Sequence, residues 1–154
     1  MTGDGLFLCL ATGMNIWDDD WGEQAEDWSG GGGLSKRLVA RGPFLGASLY
    51  ELQRGNFMIY HAHHGSEELL IVLRGRPTLR TPDGERELAE GGVVHFTTGP
   101  DGAHGLRNDT DAPVRYVMAG IRHSPEIVEY PDEKQVTGQS KHGIFFVHDV
   151  EEAV

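Results

Sequence analysis

Cysteine is almost missing from this chain. Cys9 is the only one among 154 residues, so no disulfide can form within the chain, and a reducing compartment is the natural expectation. Long apolar runs are missing too. The run LFLCLA at residues 6–11 is far shorter than the roughly 20 residues that a spanning helix needs. It also lacks the basic flank of a secretory leader. These features predict a cytoplasmic protein with no membrane partner, in which LFLCLA is a strand. Positive charge is scarce: 13 Lys and Arg stand against 24 Asp and Glu, for a formal net charge of −11. Nucleic acid and anionic membrane surfaces both call for a basic patch, so neither is an expected partner. A small anionic substrate stays open, because a bound metal can dominate its local field. Helical periodicity is also absent, with no convincing amphipathic segment longer than two turns.

Turn formers, by contrast, are abundant, at 22 Gly and 7 Pro. They separate short β-prone runs at residues 36–41, 45–53, 57–61, 67–73, 78–81, 85–88, 93–96, 105–108 and 114–121. Gly42-Pro43, Arg54-Gly55-Asn56, Pro82-Asp83-Gly84 and Asn108 to Asp111 are turn signals between them. Strands this closely spaced predict an all-β sandwich or barrel. The length suits one domain able to bury its own core. The barrel is placed at 36–122, preceded by an N-terminal strand and arm (1–35) and followed by a C-terminal extension (123–154) expected to pack on it. The arm carries Trp17, Trp21 and Trp28 among acidic residues and ends in four glycines at 30–33. It reads as an extended segment whose indoles anchor it to the outside of the barrel.

Chemistry-bearing residues concentrate between Gly55 and Gly75, in GNFMIYHAHHGSEELLIVLRG. His61 and His63 are two apart, so on a strand they share a face. Glu68 follows, positioned to return to the same site from the next strand. Two imidazoles and a carboxylate on adjacent strands make a facial ligand set with open positions, the arrangement of a metal held for chemistry. A second stretch, GGVVHFTTGPDGAHGLRN at 91–108, runs through a Gly/Pro turn to His104, a candidate fourth ligand. Strict alternation would turn Ile59 and Phe57 inward with His61, and Met58 and Tyr60 outward. On the following run, Leu70 and Val72 accompany Glu68 inward, which leaves Leu69, Ile71 and Leu73 as an apolar outer face in need of cover. A twofold homodimer is the expected consequence.

The two stretches resemble the motifs of the cupin superfamily. The first motif, G-x5-H-x-H-x4-E-x6-G, is matched in full by Gly55, His61, His63, Glu68 and Gly75. The second is matched more loosely by Gly91, Gly99, His104 and Asn108. There Thr97 stands in place of the motif's proline, and the spacing from Gly99 to His104 is longer. The resemblance implies a double-stranded β-helix, or jelly-roll, barrel. It also implies one divalent ion (Zn, Fe, Mn, Ni or Co) on His61, His63, Glu68 and His104. The activities it implies are those of small metal-dependent enzymes of dioxygenase, isomerase or decarboxylase type, working on polar or carbonyl-bearing metabolites. The alternative is a non-catalytic cupin that binds a small ligand or only a metal. Among the remaining side chains, Tyr116, His95 and Arg107 are candidates to face the cavity. His64, next to His63, should face away from it. His123, His142 and His148 read as bystanders.

Overall fold

The computed structural model describes residues 15–20, 26–27, 34–140 and 142–150. The run at 6–11, Trp21, Trp28 and the glycines at 30–33 lie outside them. The described strands are β1 (Glu26–Asp27), β2 (Leu34–Arg41), β3 (Leu45–Leu52), β4 (Phe57–His63), β5 (Glu68–Arg74), β6 (Thr78–Thr81), β7 (Gly84–Glu87), β8 (Val93–Phe96), β9 (His104–Arg107), β10 (Val114–Ile121), β11 (Glu126–Tyr130), β12 (Gln135–Ser140) and β13 (Gly143–Asp149). A single 3-10 turn, Pro100–Gly102, precedes β9. The strand runs expected from the sequence are present, with ends shifted by one or two residues.

Two sheets face each other. One has the order β1-β2-β3-β10-β5-β8 and the other β13-β12-β11-β4-β9-β6-β7. Each neighbouring pair is antiparallel. The eight central strands, β3-β10-β5-β8 over β4-β9-β6-β7, are a jelly roll, in which successive strands alternate between the sheets except at the β6–β7 hairpin. The last three strands extend the second sheet, and β11 pairs directly with β4 through Val128↔His63 and Glu129↔Ala62.

The core lies between the sheets. Leu52, Leu70, Leu79, Val114 and Tyr116 are fully buried there, with Val72, Leu106 and Phe96 nearly so. Truncating any one of the leucines to Ala should cost about 2–5 kcal/mol, since a cavity adds to the lost transfer energy. Along β5 the alternation is regular: Leu70 and Val72 are buried, and Leu69 is exposed. Along β4 it is not. Met58 pairs with Leu106 and His61 with His104, so three steps on β4 match two on β9. This is a β-bulge, and it reverses the parity of the strand. Met58 therefore packs against the core, where the Tyr116 hydroxyl lies 3.6 Å from its sulfur. Phe57 is 42% exposed. The outward placement that strict alternation gives Met58 is thus corrected by one extra residue in the strand.

Candidate metal centre

The bulge sets the position of His61. Its ring Nδ1 donates to the carbonyl oxygen of Ile59, inside the bulge, at 2.8 Å. A proton held on Nδ1 leaves the Nε2 lone pair available. His104 repeats the device from the neighbouring strand, its Nδ1 donating to the Gly102 carbonyl at 2.9 Å. Its ring also lies flat on Phe96, with centroids 3.7 Å apart and planes at 10°. The turn that delivers His104 depends on Gly102, because a Cβ there would sit 1.7 Å from the Thr97 carbonyl oxygen. Glu68 opens β5 opposite Gly120, where a Cβ would come 3.0 Å from the Glu68 Cγ.

These elements bring His61, Glu68 and His104 together, with one donor atom from each lying within 4.8 Å of the others. Glu68 Oε2 stands 3.2 Å from His104 Nε2 and 3.5 Å from His63 Nε2. His63 thus joins the cluster through Glu68, and its ring centroid is 5.0 Å from that of His61. Three buried atoms in the group have no hydrogen-bond partner: His63 Nδ1, Glu68 Oε2 and His104 Nε2. With its proton on Nδ1, His104 turns a lone pair toward the carboxylate at 3.2 Å. Two lone pairs at that distance repel unless a proton or a cation lies between them. Donors about 2.0–2.2 Å from one ion stand roughly 3–3.6 Å apart in tetrahedral or octahedral coordination, and both Glu68 separations fall in that interval. Donor type, spacing and orphaned atoms all fit a divalent ion.

The electrostatics point the same way. Burial, with the neighbouring His104 and His63, pushes His61 down to about 3, so the ring is neutral. Burial alone would raise Glu68, but in the metal-free cluster a hydrogen bond from His104 and the positive charge that His63, His104 and His61 carry when protonated outweigh it and hold the carboxyl at about 2, a role a bound cation would take over. Neutral imidazole and ionised carboxylate are the protonation states that a metal requires.

Residues 48–120 match the family model for the cupin domain. The barrel is a cupin domain. Solved structures of the same fold include a sugar phosphate isomerase of the cupin superfamily from Silicibacter pomeroyi, 23% identical, with a TM-score of 0.69 over 79% of this chain and 82% of that one. A second, a sugar phosphate isomerase assignment from Acidithiobacillus ferrooxidans, is 23% identical with a TM-score of 0.68 over 78% and 80%. The polyketide cyclase RemF from Streptomyces resistomycificus is 18% identical, with a TM-score of 0.53 over 60% and 68%. No curated protein matches the chain significantly.

Beside the cluster an open cavity of about 950 Å³ reaches His63 and Glu68 from solvent. Cupin motifs cover the candidate ligand cluster but not this approach. Tyr50, on β3, is a wall of the cavity that the sequence did not single out. It stacks on Tyr116 at 5.1 Å, and burial, with the nearby Glu68 charge, pushes its phenol up to about 12 despite a hydrogen bond with Ser48. The candidates named for the cavity lie elsewhere. Tyr116 is fully buried in the core, His95 is half exposed beside Glu67, and Arg107 is engaged by Glu85 and Asp109. His64 does face away, onto Glu129 at 2.9 Å. Glu126, also missed, is buried and accepts from the Gly65 and Ile127 amides and the Ser66 hydroxyl. It thereby ties down the loop between His63 and Glu68.

Proposed function

We propose that this cupin is a metal-dependent enzyme acting on a small polar, carbonyl-bearing metabolite, with the ion held by His61, His63, Glu68 and His104. The observation that carries the reading is the pairing of orphaned donor atoms with an open approach. Unpartnered lone pairs on Glu68 and His104 converge beside a solvent-connected cavity. A closed pocket around a saturated site would favour the alternative, a binding protein without turnover.

Bound there, the ion supplies a Lewis acid that polarises a substrate oxygen. The chain's own residues have distinct tasks. Ile59 and Gly102 fix the imidazole tautomers, and Phe96 fixes the plane of His104. Tyr50 stays protonated at neutral pH and can donate a hydrogen bond into the cavity, next to Glu68. Core packing behind Tyr116 keeps water away from the inner side of the site. Isomerase, decarboxylase and dioxygenase chemistries all use such a centre, and fold likeness alone does not choose among them. The names carried by two neighbours direct the first assays to aldose–ketose interconversion of sugar phosphates.

The test is elemental analysis of the purified protein, then a metabolite screen with the native ion, after chelation, and after re-addition of single divalent ions. Turnover abolished by chelation and restored by one ion is the expected result. Full activity after verified metal removal overturns the reading. Cys9→Ser should leave turnover unchanged, because the activity rests on no thiol nucleophile.

A further inference from the structure

The cavity has a second chemical feature. Lys36, Arg41 and Arg122 line it, from β2 and from just beyond β10. In a chain of net charge −11, three cations around one cavity call for an explanation. Six of the other eight arginines, Arg54, Arg74, Arg76, Arg80, Arg107 and Arg115, each meet a carboxylate, the exceptions being Arg37 and Arg86. Arg41 and Arg122 meet none among the described residues, although acidic side chains outnumber basic ones almost two to one. Glu68 and Glu126 are the carboxylates of the cavity wall. Glu68 belongs to the metal cluster, and Glu126 is already engaged by the Gly65, Ser66 and Ile127 donors.

Arg122 is held in place before any ligand arrives. One Nη donates to the Gly42 carbonyl at 2.7 Å. The side-chain stem lies over Gly46, where a Cβ would come 3.0 Å from the Arg122 Cγ. The backbone amide of Arg122 donates to Phe44 at 2.8 Å. The guanidinium is thus anchored on one edge, and its other N–H groups donate to no acceptor among the described residues. Lys36 is cross-strand from Tyr50, its ammonium 5.6 Å from the centre of that ring. Ser48, Ser124, Ser140 and Gln139 add neutral donors to the same wall.

We infer that the cavity holds an anion subsite, built on Arg41 and Arg122, that takes a phosphate monoester. The substrate is then a bifunctional metabolite, with its phosphate on the two arginines and its reacting oxygens beside Glu68. A dianion is favoured over a lone carboxylate because two arginines line the cavity without a counter-charge among the described residues, and a guanidinium fork matches phosphate oxygens. The inference rests on the proposed metal centre only for the orientation of the substrate. The anion subsite itself stands on the cavity and on Arg41 and Arg122, which meet no carboxylate among the described residues.

The test is calorimetric titration of the full-length protein with inorganic phosphate and, separately, with glucose 6-phosphate, glucose and acetate. Wild type should bind both phosphates and bind glucose and acetate far more weakly. Arg41→Gln and Arg122→Gln should each weaken phosphate binding about tenfold or more, the scale of a lost charge-assisted hydrogen bond. Arg122→Lys keeps the charge and should lose less, and Arg86→Gln, on the distant β7, should lose nothing. Circular dichroism and metal content, measured on each variant, should match wild type. Folded wild-type protein that binds neither phosphate overturns the subsite. So does phosphate affinity that falls in His104→Ala but not in the arginine variants, because the anion would then sit on the metal. Acetate bound as tightly as phosphate overturns the phosphate assignment. A protein that binds phosphate through the arginines yet takes up no metal would sink the metal reading and leave the subsite standing.

Discussion

A histidine becomes a ligand only when something fixes its ring. His104 illustrates this, with a carbonyl on Nδ1 and the Phe96 ring against its face. Phe96→Leu keeps the site apolar but removes the flat stack. Its expected effect is a roughly tenfold loss of metal affinity, the lower end of what outer partners of ligands contribute, with the fold intact by circular dichroism. Competition with a chromogenic chelator measures it. His61→Ala or His104→Ala should go further and abolish tight binding, while the metal-free barrel still unfolds cooperatively near the wild-type temperature. Loss of folded protein would instead make the ion structural. His61 also carries a pH dependence. Its folded pKa of about 3 lies below the ordinary 6.5, so as pH falls the unfolded chain takes up the proton first. Stability of the metal-free protein therefore drains away from about pH 6.5 downward, toward about pH 3. Glu68, held at about 2 against an ordinary 4.5, adds a loss in the same direction below about pH 4.5. Melting curves of metal-free His61→Gln between about pH 7 and pH 4 should be flatter than those of wild type. An identical slope would mean that His61 is not desolvated.

At the level of single elements, the route to the site runs through irregularities. The β4 bulge lets Met58 fill the core and His61 reach the cluster from one strand, although the two are three residues apart. The turn before β9 needs Gly102 because its Cβ position is taken by the Thr97 carbonyl. Gly102→Ala must therefore move the turn. Its expected cost is roughly 1–3 kcal/mol of stability, as for other overpacking changes, together with weaker metal binding. A fully wild-type melting temperature and affinity would show that the turn is slack. This contrast explains what was legible in the sequence. His61, His63, Glu68 and His104 were legible because residue type and spacing carry them. The β5 parity was legible because Leu70 and Val72 alternate cleanly with Leu69 and Ile71. The β4 parity was not, since nothing in FMIYHAH marks an extra residue. Tyr50, Arg122 and Glu126 were not legible either. They reach the site from β3, from the end of β10 and from β11, and only the pairing of the sheets brings those segments beside it.

For the whole molecule, the open question is what covers the outward faces. Strand edges are partly protected: β7 reads GERE and is exposed throughout, and charge on an edge strand discourages pairing with other chains. Arg115, nearly fully buried, is tied to Glu51 and to the arm through the Ile16 and Asp18 carbonyls and Asp19. The arm segment at 15–20 therefore docks on the outer side of the first sheet. Farther along that face lies an apolar stripe. Leu45 is cross-strand from Ile121, and Ile71 from Val93. Leu45, Ile121 and Val93 are all more than half exposed, and Leu69 is 38% exposed. No helix of the described residues is long and apolar enough to cross a membrane. A second copy of the chain is the occupant we propose for the stripe, in a twofold dimer in which each copy covers the same residues of the other. A stable pair of this kind must bury at least about 1,000 Å² in all, so the stripe alone is not enough and neighbouring polar surface has to join it. Light scattering with size exclusion at about 10 μM, a concentration at which an interface of ordinary affinity is filled, should give a dimer. Leu69→Lys with Ile121→Lys should give a monomer with an unchanged circular dichroism spectrum, because both side chains point away from the core. Wild-type protein that is monomeric at that concentration would count against the dimer, and the exposed stripe would then have to be matched to a different partner.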